Sequence, residues 1–406
     1  MIPGSRIPSV PDTSDALICY AANASSGSGG QGEFLRQMVY ALNQLPRARI
    51  LSRRARAARA QCIDVPLGGW RKSGYDAIRR LPVLRRRGDL LTLLSDVDFD
   101  ARLASYVTDV QLLDAVMGQC SRTFGALSKK QVPLVLTALN FHIDDVAEIL
   151  ADEFARLRIP ARSFIHPRMR RRACREMECA SRIRVLSQAA GQSFVSRGIP
   201  REKIEVILPA VDLDHFRPVA QKDNVFRVLA VLTIDPRKGA FYLLEAFEKA
   251  AIPQSELVII GATGDPWSRQ KLGEFLLRSS NIRIQSADVL KEPIETTYGQ
   301  ASVFVHPAIE DGFALAVAQA FACGKPVITT PQTGAAQLVI EGENGYVVEC
   351  RDVDAMIYHL RQLSRDRELL SRLSAAAPQA VAHLGYPAHA QRVRELYDRL
   401  LGAAQG

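Results

Sequence analysis

The stretch HPAIEDGFALAVAQAFACGKPVITT, at residues 306–330, decides the fold of this 406-residue chain. An apolar run at 303–305 leads into it and predicts a short buried strand. Residues 312–321 have the apolar spacing of a helix, and CGKP at 323–326 predicts where that helix ends. A second apolar run begins at Val327. The stretch therefore predicts a strand, a tight turn, a helix and a further strand, the pattern of a parallel α/β sheet.

The turn before the predicted helix combines carboxylates with backbone amides. Glu310 and Asp311 precede Gly312, and we expect the amides of residues 313–315 to open the helix. Amides at a helix N-terminus bind anions such as phosphate, and a carboxylate accepts hydrogen bonds from hydroxyl groups. Asp311 and Gln319 are eight residues apart, so we expect them roughly on one helix face. The turn predicts a site that holds a sugar and a phosphate together.

Length and composition predict two soluble globular domains. A chain of 406 residues that is 47% hydrophobic and 23% charged exceeds one ordinary core. No apolar run approaches the ~20 residues of a transmembrane helix, and residues 1–14, which lack the core of a signal peptide, are expected to form a flexible tail. The seven scattered cysteines have no metal-ligand spacing and predict reduced thiols in a cytoplasm.

Positive charge is concentrated in the first half of the chain. The net charge is +9, and arginines cluster at 47–59, 79–87 and 168–175. One interpretation is a solvated arginine-rich surface. The other is peripheral docking on the anionic inner face of a membrane, because Leu and Val interleave the arginines and Trp70 lies nearby. Few aromatic residues accompany these runs and no nucleic-acid module is recognisable, so we expect no nucleic-acid partner.

Strands alternating with helices predict two parallel α/β domains. The first is expected over residues 15–217, with a strand at 16–20 followed by a Gly/Ser loop. The second is expected over residues 218–387 and begins with the apolar run from Phe226. Residues 63–125 show mixed helix and loop with no motif.

A second group of candidate residues follows the predicted strand at 228–234. Arg237 and Lys238 lie in the loop DPRKG, and Gly261 follows another buried strand. Ligands of open parallel sheets bind at the carboxyl ends of the strands, so both cations are candidates to neutralise a phosphate. A plain surface turn is the alternative for these residues.

Together these segments resemble the donor-site signature of family 4 glycosyltransferases, which have the GT-B fold. Asp311-Gly312-Phe313 and the stretch from Gln319 to Val327 follow the family pattern, with Asp and Gln standing where glutamates are usual. Lys238-Gly239 matches a Lys-Gly pair of the family. The resemblance, close over residues 180–360, implies an α/β GT-B fold with two Rossmann-like domains facing a central cleft. It also implies that the C-terminal helix at 388–406 packs back on the first domain.

The resemblance implies a retaining hexosyltransferase. Its donor would be a nucleotide sugar with UDP or GDP, and its acceptor a saccharide or a glycolipid, as in polysaccharide biosynthesis. Cationic side chains and helix amides would stabilise the departing diphosphate, so no cofactor and no metal are expected. The replaced glutamates leave a catalytically impaired nucleotide-sugar-binding or scaffold protein as one alternative. A GT-B epimerase or phosphorylase is the other.

The resemblance also implies the catalytic residues. Asp311 would orient the donor sugar, with the adjacent Glu310 in support, and Lys238 would neutralise the diphosphate. His142 would lie near the sugar, and His166 competes with it for that role.

Donor binding is expected from both halves of the chain. The glycines at 27–32 resemble the family's Gly-Gly loop and allow a close approach to a phosphate, although a flexible linker is the alternative. Gln319 would contact the ribose hydroxyls, and residues 286–290 the base. The predicted donor-binding residues are Arg237, Lys238, Gly261, Gly312, Phe313, Ala314, Leu315, Gln319, Gly29 and Gly30.

Overall fold

The computed structural model describes residues 17–25, 29–54, 61–66, 88–159, 165–263, 265–286 and 293–405. Several predictions lie outside these ranges. They concern the tail at 1–14, the arginines at 79–87, Trp70 and most of the base-contacting segment at 286–290.

The first sheet has seven strands in the order β3-β2-β1-β4-β5-β6-β7. Its strands are β1 (Ile18–Ser25), β2 (Ala48–Arg54), β3 (Gln61–Asp64), β4 (Leu112–Val116), β5 (Leu134–Ala138), β6 (Arg182–Val185) and β7 (Ile204–Val206). The helices of this half are α1 (Gly29–Leu42), α2 (Gly88–Leu103), α3 (Ser121–Ser128), α4 (Ile143–Arg156), α5 (Pro167–Cys179) and α6 (Gln188–Ser196). The pairings from β3 through β5 are parallel.

The second sheet has six strands in the order β10-β9-β8-β11-β12-β13, all paired in parallel. Its strands are β8 (Phe226–Val231), β9 (Ser255–Ile260), β10 (Ile282–Gln285), β11 (Val303–His306), β12 (Val327–Thr329) and β13 (Gly345–Val347). The remaining helices are α7 (Ala240–Ala250), α8 (Pro266–Arg278), α9 (Ile294–Gly299), α10 (Leu315–Ala322), α11 (Val353–Arg365), α12 (Arg367–Ala376) and α13 (Tyr386–Gln405). Short 3-10 turns lie at Arg201–Lys203, Gly334–Leu338 and Ala377–Val381.

The chain divides into two compact units by its internal contacts. One contains Met1–Thr137, His166–Arg184 and Tyr386–Gly406, and the other contains Ala138–Ile165 and Val185–Gly385. The domain boundaries expected from the sequence, at 217 and 387, remain predictions.

The first unit is built around a buried charge network. Asp114 on β4 accepts hydrogen bonds from Thr137 Oγ1 at 2.6 Å and from Tyr397 Oη at 2.7 Å. The guanidinium of Arg184 lies 3.2 Å from the same carboxylate, and all four side chains are buried. Because Tyr397 belongs to α13, this network anchors the C-terminal helix. Tyr386, at the start of α13, adds a hydrogen bond to Glu33 at 3.1 Å.

The second unit has an apolar core between its sheet and helices α7 and α11. Strands β8, β9 and β11 are buried almost throughout, as expected for parallel strands covered on both faces. Phe241, Leu244 and Phe247 of α7 and Met356 and Leu360 of α11 contribute to the same core.

The predicted α/β architecture with parallel sheets is confirmed, but two local expectations were incomplete. The helix expected from 312 begins only at Leu315, because Ala314 adopts a left-handed conformation with φ +64°. In the segment without a motif, strand β4 and helices α2 and α3 are present. None of the helices in the described ranges combines the length and apolar character needed to cross a bilayer.

Candidate functional site

The candidate site lies at the carboxyl edge of the second sheet. Strand β8 pairs with β9 on one side and with β11 on the other, so the strand order reverses between β8 and β11. Ligands of open α/β sheets bind at such a topological switch point. The loop at 232–239 follows β8 and the loop at 307–314 follows β11, and these loops carry most of the predicted residues.

Gly239 holds the two loops against each other. It has φ +65°, and a Cβ at this position would lie 1.9 Å from the carbonyl oxygen of Pro307. Beside it, the amide of Ile309 donates to the carbonyl of Arg237 at 2.8 Å. Asp235 accepts from the amide of Lys238 at 2.9 Å and fixes the turn that carries the lysine. The backbone thus presents Lys238 toward the loop after β11.

The ammonium of Lys238 contacts Asp311 directly. The distance from Nζ to Oδ2 is 2.5 Å, and the same oxygen lies 3.1 Å from His306 Nε2. Asp311 Oδ1 accepts from the amides of Phe313 at 3.3 Å and Ala314 at 3.0 Å. The carboxylate of Asp311 therefore accepts hydrogen bonds from an ammonium, an imidazole and two turn amides. Groups of this kind are also the donors that bind an anionic ligand. Of the three amides expected to be open to a ligand, those of Phe313 and Ala314 are thus engaged by Asp311.

The charge states of Asp311 and His306 follow from their surroundings. Burial raises the pKa of Asp311, but Lys238 and then His306 outweigh it and hold this pKa well below 3.8. Burial lowers the pKa of His306 below 6.5, against the opposing effect of Asp311. At neutral pH the site therefore contains a carboxylate and a neutral imidazole that donates from Nε2.

A second ion pair lies beside the first. Arg237 Nε donates to Glu310 Oε2 at 2.7 Å, and its Nη2 donates to Asn140 at 2.7 Å. Glu310 is fully buried, and its other oxygen accepts from the amide of Phe141 at 3.2 Å. Arg237 and Glu310 are engaged within the protein, and the ligand contacts expected of them remain predictions. They hold the loop at 307–314 against residues 140 and 141.

Both candidate histidines cap helices. His142 precedes α4, and its Nδ1 accepts from the amide of Asp144 at 3.2 Å. His166 precedes α5, and its Nδ1 accepts from the amide of Arg168 at 3.1 Å. His142 is also buried against Phe194, with ring centroids 5.2 Å apart. These contacts give each imidazole a structural role in starting a helix.

Gly261 and Gly312 lie where backbones approach closely. A Cβ on Gly261 would lie 1.8 Å from the carbonyl oxygen of Leu232. A Cβ on Gly312 would lie 2.0 Å from that of Leu139. Each position therefore excludes a side chain for packing reasons, independently of any ligand.

Gln319 lies on α10, and Asp311 precedes that helix, so the two do not share a helix face as expected. The carboxamide oxygen of Gln319 accepts from Tyr298 Oη at 3.1 Å. Leu315, the remaining predicted amide donor, is the first residue of α10 and is half-buried.

Gly29 and Gly30 belong to the first unit and are exposed at the start of α1. Gly29 has φ +62°, and a Cβ on either residue would meet nothing within 4 Å. The preceding glycine at 27 lies outside the described residues.

Three residues that the sequence analysis missed contact the predicted ones: His306 contacts Asp311, Asn140 contacts Arg237, and Tyr298 contacts Gln319. His306 had a signal, because it is a polar residue that ends an apolar strand directly before a proline. Asn140 and Tyr298 had none, since their partners are distant in the sequence: Asn140 lies 97 residues from Arg237, and Tyr298 lies 21 residues from Gln319.

In the part of the chain that the structure describes, no group of three or more His, Cys, Asp or Glu side chains is arranged to hold a metal ion.

One continuous segment of the chain matches a known protein family. Residues 212–380 match the family described as glycosyl transferases group 1. The match covers 169 of the chain's 406 residues. The group 1 segment contains Lys238, Asp311 and Gln319, and the predicted resemblance to glycosyltransferases is confirmed for it.

Two curated relatives are D-inositol 3-phosphate glycosyltransferases. The protein from Thermobispora bispora is 28% identical over 221 residues, which are 50% of this chain and 52% of the relative. The protein from Frankia alni is 29% identical over 223 residues, which are 50% of this chain and 54% of the relative. The chain thus spans about half the length of the curated relatives it matches.

Solved structures share the fold over nearly the whole chain. The sucrose-phosphate synthase of Thermosynechococcus elongatus has a TM-score of 0.72 at 19% identity, covering 95% of this chain and 100% of that one. Anabaena HepE in complex with UDP and glucose has a TM-score of 0.68 at 16% identity, covering 94% and 99%. At these identities the likeness concerns the fold, and it confirms the predicted GT-B class.

Proposed function

We propose that the chain is a glycosyltransferase that moves a hexosyl group from a nucleotide diphosphate sugar to a saccharide or lipid-linked acceptor. The observation that carries this proposal is the contact of Lys238 with Asp311 at the switch point of the second sheet. A cation and a carboxylate side by side suit a ligand that joins a diphosphate to a sugar. The group 1 family match and the UDP-glucose complex of Anabaena HepE support the same ligand class.

The donor would enter by exchange of partners. Lys238 Nζ and the amides of Phe313 and Ala314 are occupied by Asp311, and a diphosphate offers the same donors stronger anionic acceptors. Asp311 released from these contacts would accept hydrogen bonds from the sugar hydroxyls and orient the anomeric carbon. His306 would keep hold of Asp311 Oδ2 during the exchange.

The reaction itself would proceed with retention of configuration. The bond from the anomeric carbon to the diphosphate oxygen breaks, and the bond to the acceptor oxygen forms on the same face of the sugar. The acceptor hydroxyl gives its proton to the departing diphosphate oxygen, so nucleoside diphosphate is the second product. Lys238 would stabilise the negative charge that develops on that group, and turnover is expected to persist in EDTA.

The acceptor side belongs to the same proposal. Arg168, Arg171 and Arg175 are exposed on α5 at a spacing that aligns them on one helix face. A basic stripe of this kind would attract anionic lipid at the cytoplasmic face of a membrane, where a lipid-linked acceptor would be presented. Co-sedimentation with vesicles containing phosphatidylglycerol, and not with phosphatidylcholine alone, is the expected result. Equal binding to both vesicle types contradicts it.

The donor assignment is tested first by thermal shift with sugars of UDP, GDP and ADP, and then by release of nucleoside diphosphate with the best donor. Lys238→Ala is expected to lower kcat by about 100- to 1,000-fold, the cost of losing one preorganised stabilising donor. Lys249→Ala is the matched control, because this lysine is exposed on α7 and its ammonium pairs with the surface residue Glu245. Near-normal turnover in Lys238→Ala would show that this lysine does not stabilise the departing diphosphate.

The alternative is a protein of this fold that binds nucleotide sugars without turnover. Two observations favour it: Asp311 already satisfies the donors of the site, and Gln319 stands where the family has a glutamate. Stabilisation by a nucleotide sugar with no release of nucleoside diphosphate, across saccharide and lipid acceptors, would support this alternative. A requirement for inorganic phosphate instead of a nucleotide sugar would indicate a phosphorylase. Product formation without an acceptor would indicate an epimerase.

A further inference from the structure

Gln319 is held in one orientation by a buried tyrosine. Tyr298 on α9 is fully buried, and its Oη donates to Gln319 Oε1 at 3.1 Å. Its ring stacks on Phe304 with centroids 5.6 Å apart and meets Phe216 edge-to-face at 5.7 Å. A ring packed on two sides has little freedom, so the phenol oxygen is fixed in space.

The direction of this hydrogen bond is also fixed. Burial raises the pKa of Tyr298 well above 10, so the phenol keeps its proton at neutral pH. A carboxamide oxygen is an acceptor and its nitrogen carries two donors, so the phenol proton selects the oxygen of Gln319. The remaining polar group of this half-buried side chain is then its Nε2, a donor.

We propose that Tyr298 is a specificity-determining residue that turns the subsite at Gln319 into a hydrogen-bond donor for the ribose of the nucleotide. This inference rests on the proposed function, because it assigns Gln319 to the nucleotide end of the donor. The subsite recognises an oxygen that accepts, either a hydroxyl or an ether. A glutamate at position 319 would offer the reverse, since an ionised carboxylate only accepts and therefore requires a hydroxyl that donates.

Ether analogues of the ribose separate the two recognition modes. Dissociation constants are measured by calorimetry for UDP, GDP and ADP, and for the 2′-O-methyl and 3′-O-methyl forms of whichever binds. For the wild-type chain, the dissociation constant of one of the two ethers is expected to lie within about threefold of that of the parent nucleotide. Gln319→Glu is expected to bind the parent nucleotide as tightly as the wild type or more tightly. Its affinity for that ether should be about tenfold or more lower, because the ether cannot donate a hydrogen bond to the charged carboxylate. Gln and Glu have nearly the same shape, so the steric demand of the methyl group is common to both proteins.

The role of Tyr298 is tested without any ligand. In a deuterated, nitrogen-15-labelled sample, the side-chain amide signal of Gln319 is identified by its disappearance in Gln319→Glu. Tyr298→Phe is expected to move this signal toward the position of a freely rotating carboxamide. Tyr20→Phe is the matched control, because Tyr20 is fully buried and its hydroxyl has no partner among the described residues. It should leave the Gln319 signal in place.

The outcomes are distinct. An unchanged Gln319 signal in Tyr298→Phe overturns the orienting role of Tyr298, whatever the protein binds. If the wild type and Gln319→Glu lose affinity for both ethers to the same extent but still bind the parent nucleotide, the subsite does not act as a hydrogen-bond donor. No binding of any of the three nucleoside diphosphates overturns the proposed function together with this inference.

Discussion

Replacing Gly239 with alanine tests how the site is assembled from two loops. Two separate penalties are expected at this position. With φ +65° the backbone is left-handed, which costs a residue with a Cβ roughly 1–2 kcal/mol. The new Cβ would also lie 1.9 Å from the carbonyl oxygen of Pro307, and moving the loops apart costs about 1–3 kcal/mol more. The free energy of unfolding of the Gly239→Ala variant should therefore fall by roughly 2–5 kcal/mol.

Other glycines of the same unit separate the two penalties. Gly342 has φ +72°, and a Cβ there would meet nothing within 4 Å, so Gly342→Ala should cost only the backbone term of roughly 1–2 kcal/mol. At Gly312 the φ is ordinary, but a Cβ would lie 2.0 Å from the carbonyl of Leu139, so Gly312→Ala should cost only the steric term of about 1–3 kcal/mol. Gly273 on α8 has neither constraint, and Gly273→Ala should stabilise by roughly 0.5–1 kcal/mol.

Urea unfolding of the four variants and the wild type measures these differences, and nucleotide affinity is measured in parallel. Gly239→Ala should lose affinity as well as stability, because the shift displaces Lys238 from Asp311. Gly342→Ala should keep its affinity. If Gly239→Ala is no less stable than Gly342→Ala, the contact with Pro307 does not constrain the two loops, and Gly239 does not hold the site together.

Two further predictions concern charge. Because burial lowers the pKa of His306, an unfolded chain binds a proton there below about pH 6.5 that the folded chain does not, so stability falls as the pH drops below that value. The fall in melting temperature between pH 7.5 and 5.0 should be smaller in His306→Gln than in the wild type. His383→Gln, at an exposed position, should match the wild type. An equal fall in all three proteins would exclude His306 as the source of the pH dependence. In the first unit, Tyr397→Phe removes a hydrogen bond to the buried carboxylate of Asp114 and should cost about 1.5–3 kcal/mol in urea unfolding. Tyr358→Phe, at an exposed tyrosine, should leave the free energy of unfolding unchanged. A similar loss in both variants would show that the Asp114 network does not anchor α13.

The elements of the second sheet were predictable because their signals are local. Apolar runs bounded by Gly, Pro and charged residues marked the first residues of β8, β11 and β12 and the end of β9. The candidate residues Lys238 and Asp311 followed from their positions after strands, at the edge where parallel sheets bind ligands. Strand β4 was missed although it is fully buried, since a five-residue run between helices gives too short a period to recognise.

Local sequence was enough to establish the α/β class, the strand–turn–helix–strand order at residues 303–330 and the residue types available at the ends of β8 and β11. These depend on periodicity and on turn residues, which act over a few positions. Which of those residues meet was settled only by the tertiary structure. Lys238 contacts Asp311 across 73 residues and Phe141 contacts Glu310 across 169, because strand adjacency and burial, and not sequence spacing, bring their loops together. For the same reason only the fold revealed that Glu310 and Arg237 are engaged internally and that Tyr298 fixes Gln319.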